Sequence, residues 1–89
     1  MVRLFVRHKV HDYAVWRKAY DAFKSTRIKF GVQAQAVSCN VDDGNDVTVS
    51  HEFNNVDAAK AFTNSGELTA AMKSAGVIGV PTVWITRRT

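Results

Sequence analysis

The chain has 89 residues with 12 basic and 8 acidic side chains, and its net charge of +4 is too mild and too dispersed to predict a nucleic-acid partner. This length predicts one small domain over residues 1–89, and a single cysteine excludes an internal disulfide and a cysteine-based structural zinc site. No apolar run approaches the ~20 residues that span a bilayer, and the N-terminus lacks a signal-peptide pattern, so we expect a cytoplasmic protein without a membrane partner.

The first predicted element is a strand over residues 2–10, in which side chains alternate between two faces. One face is apolar except for His8, and the other carries basic residues, Arg7 among them, around Phe5. An aromatic side chain among charges predicts that this second face is also covered or binds something. His8 is either a strand-end histidine at the sheet rim or a proton donor or acceptor that faces a cavity.

A single long helix is predicted over residues 12–30, with Asp12 as its N-cap and Gly31 just after its end. Its large apolar side chains recur at helical spacing and form one stripe: Tyr13, Trp16, Tyr20, Phe23 and Phe30. They are expected in the core, and the alternative is that several also line a ligand cavity. Arg27 lies on the same stripe, where it either reaches water or a carboxylate, or anchors an anion at a pocket rim.

The rest of the chain predicts three more strands and a second, interrupted helix. The strands cover residues 32–41, 47–53 and 80–86, a turn covers 42–46, and the helical segments cover 56–64 and 67–75. The third strand has an apolar face that contains one histidine, His51. Its polar face carries Glu52, a candidate partner for Arg3 or Arg7. Pro81 indicates that the last strand lies at a sheet edge, because proline cannot donate to a strand ladder.

This order, β-α-β-β-α-β, predicts a ferredoxin-like α+β fold with a four-stranded antiparallel sheet and right-handed crossovers. The first strand is then central, the last is an edge, and the helices cover one face. The other face carries Phe5, Arg7 and Trp84, and exposed aromatics on an uncovered face predict a partner. Two such sheets face to face would form a dimeric α/β barrel, with these three residues in the dimer interface.

Three passages resemble the dimeric α/β-barrel superfamily, close to the antibiotic biosynthesis monooxygenases and small cyclase-like proteins: HKVHDYAVWRKAYDAF, HEFNNVDAAKAF and ELTAAMKSAGVIGVPTVWI. The resemblance covers nearly the whole chain. Its motif elements are mostly structural: Asp12-Tyr13-x-x-Trp16, Phe53, Ala59 to Phe62, and Gly76 to Pro81. The resemblance implies a homodimer with a cavity in each subunit and, in some members, cofactor-free oxygenation or cyclisation of aromatic polyketides.

A cofactor-free oxygenase of this type needs a base, an apolar pocket and a stabiliser for a substrate phenolate. His51 or His8 would be the base, Arg27 or a tyrosine the stabiliser, and the walls would be Trp16, Tyr20 and Phe23. The haem-degrading members use an asparagine on the first strand and a histidine on the second helical region, and both are absent here. We therefore expect no cofactor, and three histidines without a paired carboxylate predict no metal site.

Three functions stay open at this point. The first is a non-catalytic homodimer that binds a small apolar or aromatic ligand, and the second is a cofactor-independent monooxygenase or cyclase. They differ in whether a cavity histidine reaches a bound substrate. The third is RNA recognition, whose RRM module has the same element order. Thr48 and Ser50 stand where that module needs stacking aromatics, so no nucleic-acid partner is expected.

Overall fold

A computed structural model describes residues 1–89. The elements in chain order are β1 Val2–Val10, α1 Tyr13–Ala22, α2 Lys24–Lys29, β2 Ala34–Asn40, β3 Asp43–Phe53, α3 Val56–Thr63, α4 Gly66–Ser74 and β4 Val77–Arg87. The four strands form one antiparallel sheet in the order β2-β3-β1-β4. The predicted ferredoxin-like α+β fold is confirmed, with β1 in the centre and β4 at an edge. No helix is long and apolar enough to cross a membrane.

The prediction of one uninterrupted helix over residues 12–30 is wrong at Phe23, which separates α1 from α2. The Phe23 N–H is shared between the carbonyls of Ala19, at 3.2 Å, and Tyr20, at 3.1 Å. The Tyr20 carbonyl also accepts a hydrogen bond from the Arg27 guanidinium. The Tyr20 carbonyl thus accepts from a side chain and from the N–H three residues later. This pattern marks a local departure from the regular i→i+4 hydrogen bonds of an α-helix. Hydrophobic periodicity does not reveal this, because the stripe continues across the break.

The predicted turn over residues 42–46 is also wrong, because β3 already begins at Asp43 and only Val41 and Asp42 turn. Asp46 lies opposite Lys9 in the β1–β3 register. Its carboxylate accepts two hydrogen bonds from the Arg7 guanidinium, at 3.0 and 2.6 Å. Residues that are typical of loops therefore continue the strand, since a neighbouring strand supplies partners for their side chains.

The helices cover one face of the sheet, as the alternation in the first and third strands predicts. The inward residues of β1 and β3 are all buried: Val2, Leu4, Val6, His8, Val10, Val47, Val49, His51 and Phe53. Phe62 of α3 is fully buried against Phe53, with ring centroids 5.7 Å apart. Burial of such side chains contributes roughly 1.5–3 kcal/mol each. The apolar core forms two clusters, one around Phe62 and one around Trp16.

Separate caps explain why the second helical region is divided. The Asn55 side chain accepts from the Ala58 N–H at 2.8 Å, and the Ser65 hydroxyl accepts from the Leu68 N–H at 3.1 Å. Each is a favourable N-cap, worth about 1 kcal/mol relative to alanine. The predicted interruption at Ser65 is confirmed, and Gly66 is the first residue of α4.

The opposite face of the sheet is open in the single chain. Phe5 and Trp84 lie opposite each other on β1 and β4, and their rings stack with centroids 5.1 Å apart. Trp84 is 38% exposed. Ion pairs flank the stack, because Arg3 contacts Glu52 at 2.5 Å and Arg7 holds Asp46. The sheet face that is predicted to bind another molecule therefore carries one aromatic stack, with a salt bridge on each side of it.

Candidate functional site

A cavity of about 50 Å³ lies between the helices and the sheet, where the two core clusters meet. Its walls are mainly apolar. Six predicted site residues line it: His8, Trp16, Tyr20, Phe23, Arg27 and His51. The three residues predicted for a dimer interface, Phe5, Arg7 and Trp84, lie on the opposite face of the sheet. The structure thus brings the predicted ligand-site residues together, and their roles stay predictions.

His51 and Tyr20 form the polar centre of the cavity. His51 comes from β3 and Tyr20 from α1, and His51 Nε2 lies 2.8 Å from the Tyr20 hydroxyl. The hydroxyl also lies 3.4 Å from Gln35 Oε1 on β2, directly opposite His51 in the sheet register. Burial, followed by the charge of Arg27, lowers the pKa of His51 to about 4. Burial also raises the pKa of Tyr20, so both groups are neutral near pH 7.

Arg27 is a buried cation without a carboxylate partner. Its side chain is 2% exposed, and its guanidinium carbon lies 3.9 Å from the centre of the Tyr20 ring. The only hydrogen bond of its side chain runs from Nη1 to the Tyr20 carbonyl, and Nε has no partner. Burial lowers its pKa. The alternative in which Arg27 reaches water or a carboxylate is therefore wrong, because the residue is buried on the inward stripe and forms no salt bridge.

His8 lies in the cavity wall and not at the sheet rim. Its ring meets Trp16 edge-on, with centroids 5.7 Å apart, and neither ring nitrogen has a hydrogen-bond partner. Burial lowers its pKa. His8 pairs with Val47, whereas His51 pairs with Leu4. These register positions are four residues apart along β1, about 13 Å at ~3.3 Å per residue, so the two histidines serve different parts of the cavity.

Sequence reasoning missed the far wall of the cavity and one polar neighbour. Helix α3 contributes Phe62, and α4 contributes a stripe at helical spacing: Leu68, Ala71, Met72 and Ala75. That spacing indicates a buried helix face, but it does not indicate which faces leave a gap. The small alanines leave the space, and Met72 is adaptable because its side chain is unbranched. The position of Gln35 beside the Tyr20 hydroxyl could have been predicted only from the pairing of Gln35 with His51 in the sheet.

The cavity brings aromatic rings together with a neutral imidazole and a guanidinium, which are groups suited to contact a planar molecule, to exchange a proton and to stabilise a negative charge. Ligand pockets are typically apolar with a few convergent polar groups, as here. The structure brings no three histidine, cysteine, aspartate or glutamate side chains together in a metal-binding arrangement.

Comparison with known proteins supports the fold. No protein-family model matches the sequence, and a search of curated proteins finds no sequence match. A proposed antibiotic biosynthesis monooxygenase from Bordetella bronchiseptica superposes with a TM-score of 0.84 at 13% identity, over 99% of this chain and 96% of that one. SnoaB, a cofactor-independent oxygenase from Streptomyces nogalater, superposes with a TM-score of 0.74 at 14% identity, over 99% and 94%.

A proposed antibiotic biosynthesis monooxygenase from Deinococcus radiodurans gives a TM-score of 0.75 at 16% identity, over 100% of this chain and 93% of that one. The chain therefore has the fold of the antibiotic biosynthesis monooxygenase-like proteins, as its sequence resemblance implied. A shared fold at such low sequence identity does not show that this chain catalyses the same reaction.

Proposed function

We propose that the protein is a homodimer that binds a small aromatic or apolar molecule in the cavity beneath α1 and α4. One observation carries the proposal, namely the buried polar atoms without hydrogen-bond partners that line this cavity: Arg27 Nε, His51 Nδ1 and both ring nitrogens of His8. Buried polar groups in folded proteins almost always have partners. A ligand with a ring and polar substituents would fill the apolar space and pair with those of these atoms that lie nearest to it.

Binding requires the cavity to expand. Its 50 Å³ is well below the roughly 150 Å³ of an apolar cavity that holds benzene. Met72 is half-buried in α4 and adjoins the space. A methionine can change rotamer at low cost, so movement at this wall is the expected response to a ligand.

Calorimetric titration with a hydroxynaphthalene tests this proposal, with the Trp16 indole N–H followed by NMR as a reporter in the wall. Ala71→Val adds two methyl groups to the cavity and is expected to weaken binding at least tenfold. Ala70→Val is the matched control, because Ala70 lies on the same helix but is exposed and outside the lining. Equal affinity of the two variants would show that the ligand binds elsewhere.

A second candidate function is cofactor-independent oxygenation, favoured by the Tyr20–His51 contact of 2.8 Å beside the Arg27 cation. In this reaction a base removes a proton from a phenolic substrate, and the resulting anion reacts with O₂. His51 has a pKa of about 4, so deprotonating a phenol of pKa ~10 costs about 8 kcal/mol at 1.36 kcal/mol per unit. The Arg27 charge would have to offset most of this cost, which makes ligand binding the stronger proposal.

Oxygen consumption measured with an electrode separates the two candidates. The oxygenase proposal expects uptake of O₂ with a hydroxynaphthalene in the presence of a chelator, and its loss in His51→Gln and Arg27→Gln. Unchanged uptake in both variants would contradict these roles. Binding without any uptake would leave the ligand-binding proposal alone.

The shape of the open sheet face supports the proposed homodimer. The Phe5–Trp84 stack is bulky, whereas β2 presents small side chains on the same face: Ala34, Ala36 and Ser38. A two-fold axis would set the stack of one copy against the small residues of the other. The expected interface residues therefore remain Phe5, Arg7 and Trp84, and a cytoplasmic location remains a prediction of the sequence.

Light scattering on a sizing column across a tenfold dilution tests the dimer. Wild type is expected to stay dimeric and Trp84→Arg to become monomeric. Val41→Arg is the control, because Val41 is an exposed apolar residue in the β2–β3 turn. A monomeric wild type would refute the barrel and make a single-stranded RNA titration the next step.

A further inference from the structure

Arg27 lines two separate spaces. One is the cavity beneath the helices, and the other is a surface groove of about 190 Å³ between α2 and β2. The groove is lined by Arg27 and six other residues: Lys24, Ile28, Val32, Gln33, Ala34 and Gln35. Arg27 is the only residue common to both linings. Arg27 therefore borders both the groove and the cavity.

No acidic side chain lines either space. The one other charged residue of the groove is Lys24, which is also basic. The carboxylate that acts on Arg27 most directly is Asp21, and it is paired with Arg17 at 3.2 Å. A buried cation without a counter-ion is costly. The electrostatics of the site therefore favour a negatively charged ligand group over a neutral one.

The guanidinium is oriented for a carboxylate in particular. Nη1 donates to the Tyr20 carbonyl, the guanidinium carbon lies 3.9 Å from the centre of the Tyr20 ring, and the buried Nε has no hydrogen-bond partner. Nε and the adjoining Nη2 form one edge of the guanidinium group. Elsewhere in this chain Arg7 uses that same edge to hold the two oxygens of Asp46, at 3.0 and 2.6 Å. Such two-point pairing is specific to planar anions with two oxygens.

We propose that the ligand is an aromatic carboxylate, which passes through the α2–β2 groove and pairs with the Nε and Nη2 edge of Arg27 while its ring lies in the apolar cavity. This inference rests on the proposed ligand-binding function. Lys24 attracts the anion at the groove, and Arg27 holds it where the two spaces meet. The apolar cavity of about 50 Å³ must still expand to take the ring, as for any aromatic ligand. The guanidinium is already desolvated and fixed by Tyr20, so little further ordering is needed on binding.

Calorimetry with 1-naphthoate and its neutral isostere 1-naphthamide tests the charge preference. Wild type is expected to bind the naphthoate at least tenfold more tightly than the amide. Arg27→Met keeps the length of the side chain without its charge, and it is expected to bind both compounds with equal affinity. Arg17→Met is the matched control and is expected to keep the wild-type preference, since Arg17 lies outside both linings.

The outcomes separate this inference from the function on which it rests. Equal binding of the two compounds by wild type would overturn the carboxylate inference and leave the cavity proposal standing. Failure of both compounds to bind would overturn the cavity proposal and the inference with it. Gln33→Trp tests the route, because Gln33 is exposed and lines the groove. It is expected to slow naphthoate association at least fivefold in stopped flow, and an unchanged rate would overturn the route.

Discussion

Replacing Arg27 by methionine is expected to stabilise the ligand-free protein even as it removes the proposed anion site. The buried guanidinium, whose Nε has no hydrogen-bond partner, carries a desolvation cost of several kcal/mol. Its compensation is one charge-assisted hydrogen bond to the Tyr20 carbonyl, about 1.5–3 kcal/mol, and the contact with the Tyr20 ring, about 2 kcal/mol. The costs exceed the gains, so we expect Arg27→Met to raise the free energy of unfolding by about 1–3 kcal/mol.

Urea unfolding followed by far-UV circular dichroism measures this change, at one protein concentration because association also affects stability. A gain of 1 kcal/mol corresponds to a rise in Tm of about 4–8 °C for a domain of this size. Arg17→Met provides the comparison, because Arg17 lies 5.7 Å from the same ring but its side chain is 41% exposed and paired with Asp21. Exposed pairs contribute little, so its effect should stay within about 0.5 kcal/mol. A loss of stability in Arg27→Met beyond that of Arg17→Met would refute the reasoning.

Three further predictions concern the core and the titrating groups. Phe62→Ala removes a fully buried ring and is expected to cost about 3–5 kcal/mol in urea unfolding; a cost below 1 kcal/mol would contradict its central position. Hydrogen bonds from Arg7 lower the pKa of Asp46 to about 2 from 3.8, so the unfolded state binds this proton first and stability should fall as the pH drops from about 4 to 2. Asp46→Asn should flatten that part of the stability curve. Burial lowers the pKa of His51 from 6.5 to about 4, so stability should also fall between pH 6.5 and 4, and His51→Gln with an unaltered slope there would contradict a buried neutral imidazole.

Local patterns in the sequence were enough to predict the sheet and the faces of its elements. Alternation in β1 and β3 and the aromatic stripe through Trp16 and Tyr20 predict which side chains are buried, because strand and helix periods are local properties of the chain. The same patterns identified six side chains that line one cavity. Where a side chain's position depended on its own segment, the prediction matched the structure.

Features that depend on residues far apart in the chain became visible only in the folded protein. Asp46 became a strand residue because Arg7, 39 positions away, supplies its partner. Arg27 is buried against the Tyr20 ring, whereas the sequence left open whether it would reach water or a carboxylate instead. The second wall of the cavity, from Phe62 and α4, likewise depends on how the helices pack. The burial of these side chains and their hydrogen-bond or ion-pair partners depend on how distant segments pack. The spacing of apolar residues within one segment does not reveal them.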